Sequence, residues 1–338
     1  DKKKKRNTRR DFIKTGLLTA SAVGLGSGIT LNASEISNIN VNRPVRATEW
    51  RNRVDGMEYR KLGNTGLMVS AMVIGGGALN PDRYKYAIPA IERGVNYIDT
   101  APRYAKGRSE EGAGLLMKKA GREKIFISTK LSPYTPFIDQ LYQDIFKTLP
   151  SSRQNELINK AEDLIESKGV RRPGYYFKFF RKQDEEFPEG YLTYIMSREY
   201  GSLTKWKSQI KKELHETVNS SLKRLQTDYI DILHCPHGIR LPEEFDDPAI
   251  AETMDELKRA GKIRFSGVSI HTDVPNNLEK AAETPYVDMA MVAYNIVNQS
   301  GMDMPLRKAV NSGMGIIGMK AANPVMSIAD DSTGLPDS

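Results

Sequence analysis

The sequence has a single cysteine, Cys235, and only four histidines, and its body has no apolar run long enough to span a membrane. One cysteine excludes an intramolecular disulfide. His215 and His271 have no acidic or cysteine partners at ligand spacing, so no metal site is predicted. The missing apolar run predicts a mature chain without a membrane span.

The first segment is strongly basic and then uncharged. Residues 1–14 hold eight basic and two acidic groups, including Arg9-Arg10 followed by Asp-Phe-Ile-Lys, and no charge occurs from Thr15 to Ala33. This order is typical of a bacterial twin-arginine (Tat) export signal. Four glycines make the uncharged stretch a poor membrane-spanning helix. We therefore predict a signal over 1–33, with Ala33 and Ala47 as alternative cleavage positions.

The signal changes the meaning of the overall charge. Its basic head accounts for +6 of the formal net charge of +8, which leaves +2 for residues 15–338. The basic isoelectric point therefore does not predict a nucleic-acid partner. The predicted partner during export is the Tat translocon, and the predicted location is periplasmic or otherwise extracytoplasmic.

Strand-like apolar runs alternate with amphipathic stretches along the body. Seven such units in series predict a parallel sheet with crossover helices. Short strands that are apolar on both faces favour a closed (β/α)8 TIM barrel, with an open doubly wound sheet as the alternative. The predicted strands are 70–76, 95–101, 124–131, 228–233, 262–270, 286–295 and 313–320.

The segments before and after these units differ from them in composition and periodicity. Residues 34–56 are polar and aperiodic and are interpreted as a linker. The barrel is predicted over 57–322, starting with a hairpin around Asn64-Thr65-Gly66. Residues 323–338 form a tail in which no eighth strand or final helix is recognisable, so the barrel is expected to lack its eighth β/α unit, as in a fragment.

Chemically capable side chains stand at the carboxyl ends of the predicted strands, where a barrel forms its active site. Asp99 ends the second strand, Tyr104 follows five residues later, and Lys130 ends the third. The fourth strand leads into His234 and His237. A carboxylate and an ammonium on neighbouring strands can pair, and a cation beside a phenol favours the phenolate. A tyrosine in such surroundings can give a proton to a carbonyl oxygen.

These residues lie in motifs that resemble the aldo-keto reductase superfamily. The resemblance rests on IDTAPRYAKGRSEEGAG, ISTKL, SLKRLQTDYIDIL, LKRAGKIRFSGVS and GIIGMK, which occur in family order over 57–131 and 207–322. It implies a tetrad in which Tyr104 is the general acid, Lys130 tunes it and Asp99 pairs with Lys130, while a histidine orients the substrate. It also implies hydride transfer from NADPH, with NADH as the alternative.

The histidine of the tetrad is ambiguous. Related sequences place it eight residues beyond the first Asp of DYIDL, whereas His234 lies six and His237 nine residues beyond Asp228. His237 needs one inserted residue, which a bulge at Pro236 would accommodate. We therefore favour His237, with His234 as the alternative.

The resemblance assigns cofactor contacts only in part. Ser269 fits the serine that contacts the nicotinamide carboxamide, and Asp99 borders the same mouth. Gly76 and Gly77 close the first strand, where a side chain would block the nicotinamide ribose. The remaining cofactor candidates stand where the family often has other residues: Met291, Met319 and Lys320.

An insertion of residues 132–206 follows the third strand. It holds 14 of the 27 aromatic residues, among them Tyr175, Tyr176 and Phe177. Because it leaves the carboxyl end of a strand, it is interpreted either as an aromatic, partly helical lid or as a self-packed excursion.

The predicted function is reduction of a small-molecule carbonyl, or oxidation of an alcohol, by an exported, nicotinamide-dependent enzyme. Two alternatives stay open. One is a cofactor-binding regulatory or partner protein on the same barrel with little turnover. The other is a hydrolase that uses Asp99 with Glu110 or Glu111.

Overall fold

A computed structural model describes residues 41, 43–171, 183–203, 206–295 and 298–321. The chain divides into two units, Asp1–Asn38 and Ile39–Ser338, and the described residues belong to the second. The predicted signal, the beginning of the predicted linker, the aromatic residues 175–180 and the tail 323–338 lie outside the described residues. No helix in the described part of the chain is both long and apolar enough to cross a membrane.

Ten strands occur in two sheets of the described residues. A small sheet contains β1 (Glu49–Trp50), β2 (Tyr59–Lys61) and β3 (Leu67–Ser70). The large sheet contains β4 (Ile74–Gly75), β5 (Tyr97–Asp99), β6 (Phe126–Lys130), β7 (Ile230–His234), β8 (Ile263–Ile270), β9 (Met289–Ala293) and β10 (Gly315–Met319).

Seven consecutive strands, β4 to β10, pair in chain order, and every pair is parallel. This is the strand series predicted for an aldo-keto reductase barrel with one unit missing. Within the described residues, β4 and β10 are the edge strands. β2 and β3 form the predicted antiparallel hairpin, with a 3-10 turn over Gly63–Thr65 between them.

Nine α-helices occur in the described residues. They are α1 (Ile88–Glu92), α2 (Arg108–Ala120), α3 (Tyr134–Thr148), α4 (Ser151–Lys168), α5 (Glu186–Tyr200), α6 (Trp206–Leu225), α7 (Pro248–Arg259), α8 (Val274–Glu283) and α9 (Asp303–Asn311).

Local sequence explains where α7 begins and ends. The Asp247 side chain accepts a hydrogen bond from the Ala249 N–H at 2.8 Å, and Pro248 takes the first helical position, where its missing N–H costs nothing. Lys258 and Arg259 lie in the last turn, near the negative end of the helix dipole. Gly261 then adopts a positive φ of 69° that ends the helix.

The core lies on both faces of the large sheet. Inside it, Tyr97, Phe126, Ile232 and Met289 are fully buried. Outside it, apolar stripes of the helices pack against the opposite strand faces, as Leu116, Leu214 and Leu257 do. The strands are therefore apolar on both faces, which is why they resemble continuous hydrophobic runs in the sequence.

Residues 43–56, which the sequence places in a linker, are built into this unit. Arg43 is buried and donates hydrogen bonds to five backbone carbonyl oxygens, those of Ala281, Ala282, Thr284, Val287 and Ser312. β1 pairs in parallel with β3. The linker interpretation therefore does not describe residues 43–56, because long-range contacts order a stretch that has no local period.

A charged cluster closes the amino ends of the strands. Asp231 is completely buried at its centre and pairs with three guanidinium groups, at 2.6 Å, 2.9 Å and 3.2 Å. It also accepts a hydrogen bond from the Ile127 N–H at 3.0 Å. We call this group the amino-end cluster, and its members are Glu49, Arg51, Arg122, Asp231 and Arg264.

Candidate active site

Asp99 and Lys130 form a buried ion pair at the carboxyl ends of β5 and β6. The Lys130 Nζ donates to Asp99 Oδ2 at 2.6 Å and to the Thr100 carbonyl oxygen at 2.9 Å. Ser128 donates to the other carboxylate oxygen at 2.7 Å. The pair is fixed because Asp99 is in register with Ser128, which places residues 99, 128 and 130 on one face of neighbouring strands.

Tyr104 lies directly against this pair. Its ring is half-buried, and the Lys130 Nζ is 4.9 Å from the ring centroid. The tyrosine opens a tight turn, Tyr104–Gly107, in which Ala105 (φ 48°, ψ 36°) and Lys106 (φ 56°, ψ 43°) are both left-handed. This tight turn directs the chain into α2 and brings the tyrosine beside the lysine.

The two histidines at the end of β7 occupy different places. The ring of His237 meets that of Tyr104 edge to face, with centroids 5.6 Å apart, and Ser132 Oγ lies 2.6 Å from His237 Nδ1. His234 is fully buried, in register with Lys130 and Gly267. The structure therefore brings together Asp99, Tyr104, Lys130 and His237, and it places His234 deeper in the sheet.

Both histidines are neutral at physiological pH. Burial lowers the pKa of His237 to about 3, with further lowering by the charges of Lys130 and Arg103. Burial also lowers the pKa of His234 to about 4. A neutral imidazole at His237 has one N–H donor and one acceptor nitrogen, so its tautomer decides what it offers a substrate.

The cofactor candidates lie on the next strands or just after them. Ser269 and Met291 are in register on β8 and β9 and both are buried, and the Ser269 hydroxyl lies 3.4 Å from His271 Nε2. Met319 is the last residue of β10. Lys320 follows it with a φ of 58°, and burial lowers its pKa.

The two glycines after β4, Gly76 and Gly77, have different surroundings. A Cβ at Gly77 would meet nothing within 4 Å, so this position leaves open space, as a cofactor cradle requires. A Cβ at Gly76 would come within 2.6 Å of the Asp99 carbonyl oxygen and 2.8 Å of Ser109 Oγ. Packing of the chain against β5 and α2 therefore explains Gly76 without a cofactor.

Glu110 and Asp99, two of the residues suggested for a hydrolase, are each bound by other side chains. Glu110 is fully buried, and its carboxylate accepts hydrogen bonds from Thr129 and Arg224, each at 2.6 Å. Both oxygens of Asp99 are bound by Ser128 and Lys130. These bonds give Glu110 a structural role between α2 and α6.

The insertion contacts the loops beside this site. Arg240, which follows β7, donates to Asp139 of α3 at 2.9 Å. Gln183 donates to the His271 carbonyl oxygen at 3.1 Å, and Thr272 donates to Glu186 of α5. The described part of the insertion is thus helical and is hydrogen-bonded to the segments after β7 and β8. Whether it acts as a lid on a substrate stays a prediction.

A cavity of about 230 Å³ lies between α3, α5 and the segment after β7. Its walls combine aromatic rings with charged groups, so the cavity suits a molecule that has both apolar and polar parts. The aromatic lining residues are Tyr134, Tyr142, Tyr194 and Trp206, and the charged ones include Arg240, Glu243 and Asp247.

Sequence reasoning missed two side chains that support the site, Ser128 and Ser132. Ser128 lies on β6 two residues before Lys130, and Ser132 lies two residues after it, just beyond the strand. The period-two spacing of Ser128 and Lys130 is the signal that could have placed Ser128 on the same face of the strand as Lys130.

Comparisons with known proteins identify the family. The sequence profile of the aldo/keto reductase family matches residues 71–177 and 197–325, more than half of the chain. Aldo-keto reductase YhdN of Bacillus subtilis (strain 168) is 27% identical over 225 residues, which cover 63% of this chain and 47% of that protein. The NADH-specific methylglyoxal reductase of Escherichia coli (strain K12) is 26% identical over 258 residues, which cover 72% and 61%.

A solved structure is also similar. It is an aldo/keto reductase from Klebsiella pneumoniae in complex with NADP and acetate, 18% identical with a TM-score of 0.48, and the match covers 81% of this chain and 74% of that one. The chain spans 47% of the length of one curated relative and 61% of the other. From the family profile, the chain belongs to the aldo/keto reductase family.

Proposed function

We propose that this chain carries the catalytic residues of a nicotinamide-dependent carbonyl reductase, which also oxidises the corresponding alcohol. One observation supports this most directly. The ammonium of Lys130 is 2.6 Å from the Asp99 carboxylate and 4.9 Å from the centroid of Tyr104, whose ring in turn contacts His237. A proton donor, a cation and an imidazole thus converge at the carboxyl ends of parallel strands, where barrels bind substrate.

The geometry suggests a division of labour around the substrate oxygen. Tyr104 gives its phenolic proton to the carbonyl oxygen, while Lys130 stabilises the oxyanion that remains on the tyrosine. Asp99 holds Lys130 in place. His237 donates a hydrogen bond to the same oxygen and so orients the carbonyl. A nicotinamide dinucleotide, when bound, supplies the hydride.

The residues that would hold the dinucleotide are Gly77, Ser269, Met291, Met319 and Lys320. The open space at Gly77 fits such a group, and the Ser269 hydroxyl is at the end of its strand. We propose NADPH as the preferred form and NADH as the alternative. The E. coli relative, named NADH-specific, shows that family membership alone does not decide between them.

Titration of NADPH and NADH into the purified full-length protein, followed by cofactor and tryptophan fluorescence, tests this proposal. Saturable binding of either nucleotide is expected. No signal at saturating concentrations of both would contradict it. Saturable binding with no turnover on a panel of aldehydes and ketones would instead favour a regulatory protein on the same barrel.

Replacing Tyr104 by Phe removes one hydroxyl and tests the proton donor. We expect kcat to fall by about 10² to 10⁴, the usual contribution of general acid catalysis, with nucleotide affinity unchanged. Tyr84→Phe is a matched control, because Tyr84 is a similarly half-buried tyrosine on another turn. Wild-type kcat in Tyr104→Phe would overturn the mechanism.

We also propose that the protein is exported through the Tat translocon to the periplasm or another extracytoplasmic space. Arg9-Arg10 and the uncharged stretch from Thr15 to Ala33 support this proposal. Replacing both arginines by lysine is expected to leave the protein in the cytoplasmic fraction, as measured by cell fractionation. Unchanged fractionation of this double variant would contradict Tat export.

A further inference from the structure

Ser132 is placed to control His237. It follows Lys130 by two residues, and its hydroxyl oxygen lies 2.6 Å from His237 Nδ1. The backbone around this contact is fixed, because the Leu131 N–H donates to the His234 carbonyl oxygen at 2.8 Å. This bond therefore ties the end of β7 to the residue before Ser132.

The tautomer of His237 determines what it can do for a carbonyl. Its imidazole is neutral, since burial keeps its pKa at about 3. With Nδ1 occupied by Ser132, Nε2 is the ring nitrogen left for a substrate. An Nε2–H donates to a carbonyl oxygen, whereas an unprotonated Nε2 presents a lone pair that repels it.

We propose that Ser132 is a positioning residue that donates its hydroxyl proton to His237 Nδ1 and thereby holds the ring as the Nε2–H tautomer. The proposal rests on the proposed carbonyl chemistry for its purpose, although the tautomer itself does not depend on turnover. Among the residues that the structure describes, His237 Nδ1 is the hydrogen-bond partner of this hydroxyl. Donation to Nδ1 uses the proton of Ser132, whereas acceptance from an Nδ1–H would leave that proton without a protein acceptor.

Long-range ¹H–¹⁵N correlation spectra of the histidine rings test the tautomer directly. The chain has four histidines, and His237→Gln identifies the signal of His237. We expect the Nε2–H pattern in the wild type and a shift towards Nδ1–H in Ser132→Ala. An Nδ1–H ring in the wild type, or an unchanged pattern in Ser132→Ala, would overturn the proposal even if the protein proves to have no reductase activity.

Kinetics then test the consequence. For metal-bound histidines, the groups that fix the ring are worth about 10-fold to 100-fold, and we expect Ser132→Ala to lower kcat/KM on a small aldehyde by a similar factor. Nucleotide affinity should not change. Ser132→Thr keeps the hydroxyl and should restore most of the activity. Ser151→Ala, an exposed serine at the start of α4, is the matched control and should behave as wild type.

A double-mutant cycle separates positioning from general damage to the fold. If Ser132 acts through His237, Ser132→Ala should have no further effect on kcat/KM in a His237→Gln background. A full additional loss in that background, or no rescue by Ser132→Thr, would show that the serine acts independently of the histidine. Thermal unfolding of each variant identifies any that fail to fold. If Ser132→Ala fails to fold, the ring spectrum of Ser132→Thr decides the proposal.

Discussion

The two ends of the large sheet use buried charge in different ways. In the amino-end cluster, the carboxylate of Asp231 is surrounded by three guanidinium groups and a backbone N–H. At the carboxyl ends, Lys130 pairs with Asp99, and its ammonium also faces the ring of Tyr104. The first arrangement uses its charges to hold elements together, whereas the second directs one charge at a group that can exchange a proton.

Burial alone does not identify a catalytic site. Asp231 and Lys130 are about equally inaccessible, at 0% and 1% exposure. They differ in what surrounds them. The partners of Asp231 are cations from β8, from the segment after β1 and from the segment before β6, so Asp231 holds the amino ends of these elements together. Lys130 instead lies beside a half-buried phenol, a group that can exchange a proton.

The largest effect is expected for Asp231→Asn. Removing the charge leaves three buried or half-buried guanidinium groups around a neutral amide, which should lower the free energy of unfolding by about 3 to 5 kcal/mol. Urea denaturation measures this loss. The kcat of the folded fraction should stay at the wild-type value, because the change is at the opposite end from Tyr104.

The exposed neighbour Asp228 provides the control for this experiment. Asp228→Asn removes the same charge three residues away and should change stability by less than about 0.5 kcal/mol. Equal losses of unfolding free energy in the two variants would show that the ion pairs of Asp231 do not stabilise the fold. The proposed difference between the two ends of the sheet would then be wrong.

A smaller effect is expected for Glu186→Gln, near the carboxyl ends. Glu186 accepts a hydrogen bond from Thr272, and burial raises its pKa to about 7. Its ordinary pKa is 4.5, so the folded state binds a proton more tightly than the unfolded state. Stability should therefore fall as pH rises from about 4.5 to 7 and stay lowered above that.

Glu186→Gln keeps an acceptor for Thr272 and removes the titration. We expect it to flatten this part of the pH–stability curve and to raise stability at pH 8 by about 1 to 3 kcal/mol. Glu185→Gln, at the adjacent exposed position, is the control. A wild-type curve that is flat or rising between pH 4.5 and 7 would show that Glu186 is ionised in the folded protein.

The smallest effect is expected in the pH profile of His237. Because burial lowers its pKa to about 3, the imidazole should not titrate between pH 5 and 8, and kcat/KM should show no step from it in that range. Histidine NMR titration measures the midpoint directly. A midpoint near 6.5 would mean that the ring is well solvated and that the carboxyl ends are less enclosed than the amino-end cluster.

The sequence predicted which candidate side chains lie together better than it predicted the residues that support them. Asp99, Tyr104 and Lys130 could be grouped because parallel strands end at a common edge, and the structure does bring them together. Arg43 could not be recognised, since the carbonyl groups it binds lie 238 to 269 residues away. No local period records such a contact, so the segment around Arg43 resembled a linker.

The order of the strands was also predicted, but close contacts between the elements were not. All seven predicted strands occur in the predicted parallel order, because apolar runs and β-then-α alternation are local properties. Gly76 shows where local reasoning stops. Its lack of a side chain was predicted to serve a cofactor, whereas the structure places the Asp99 carbonyl oxygen where its Cβ would stand. Close approach between elements is a tertiary property that a single sequence does not display.

The left-handed turn after Tyr104 has a consequence for protein engineering. Ala105 and Lys106 hold a conformation that costs an L-residue about 1 to 2 kcal/mol, whereas glycine adopts it freely. A library selected for heat resistance should therefore recover glycine at these two positions. A library selected for catalytic rate should reject the same substitutions, because glycine would also free the segment that aims the phenol, so the two selections would diverge at one turn of the chain.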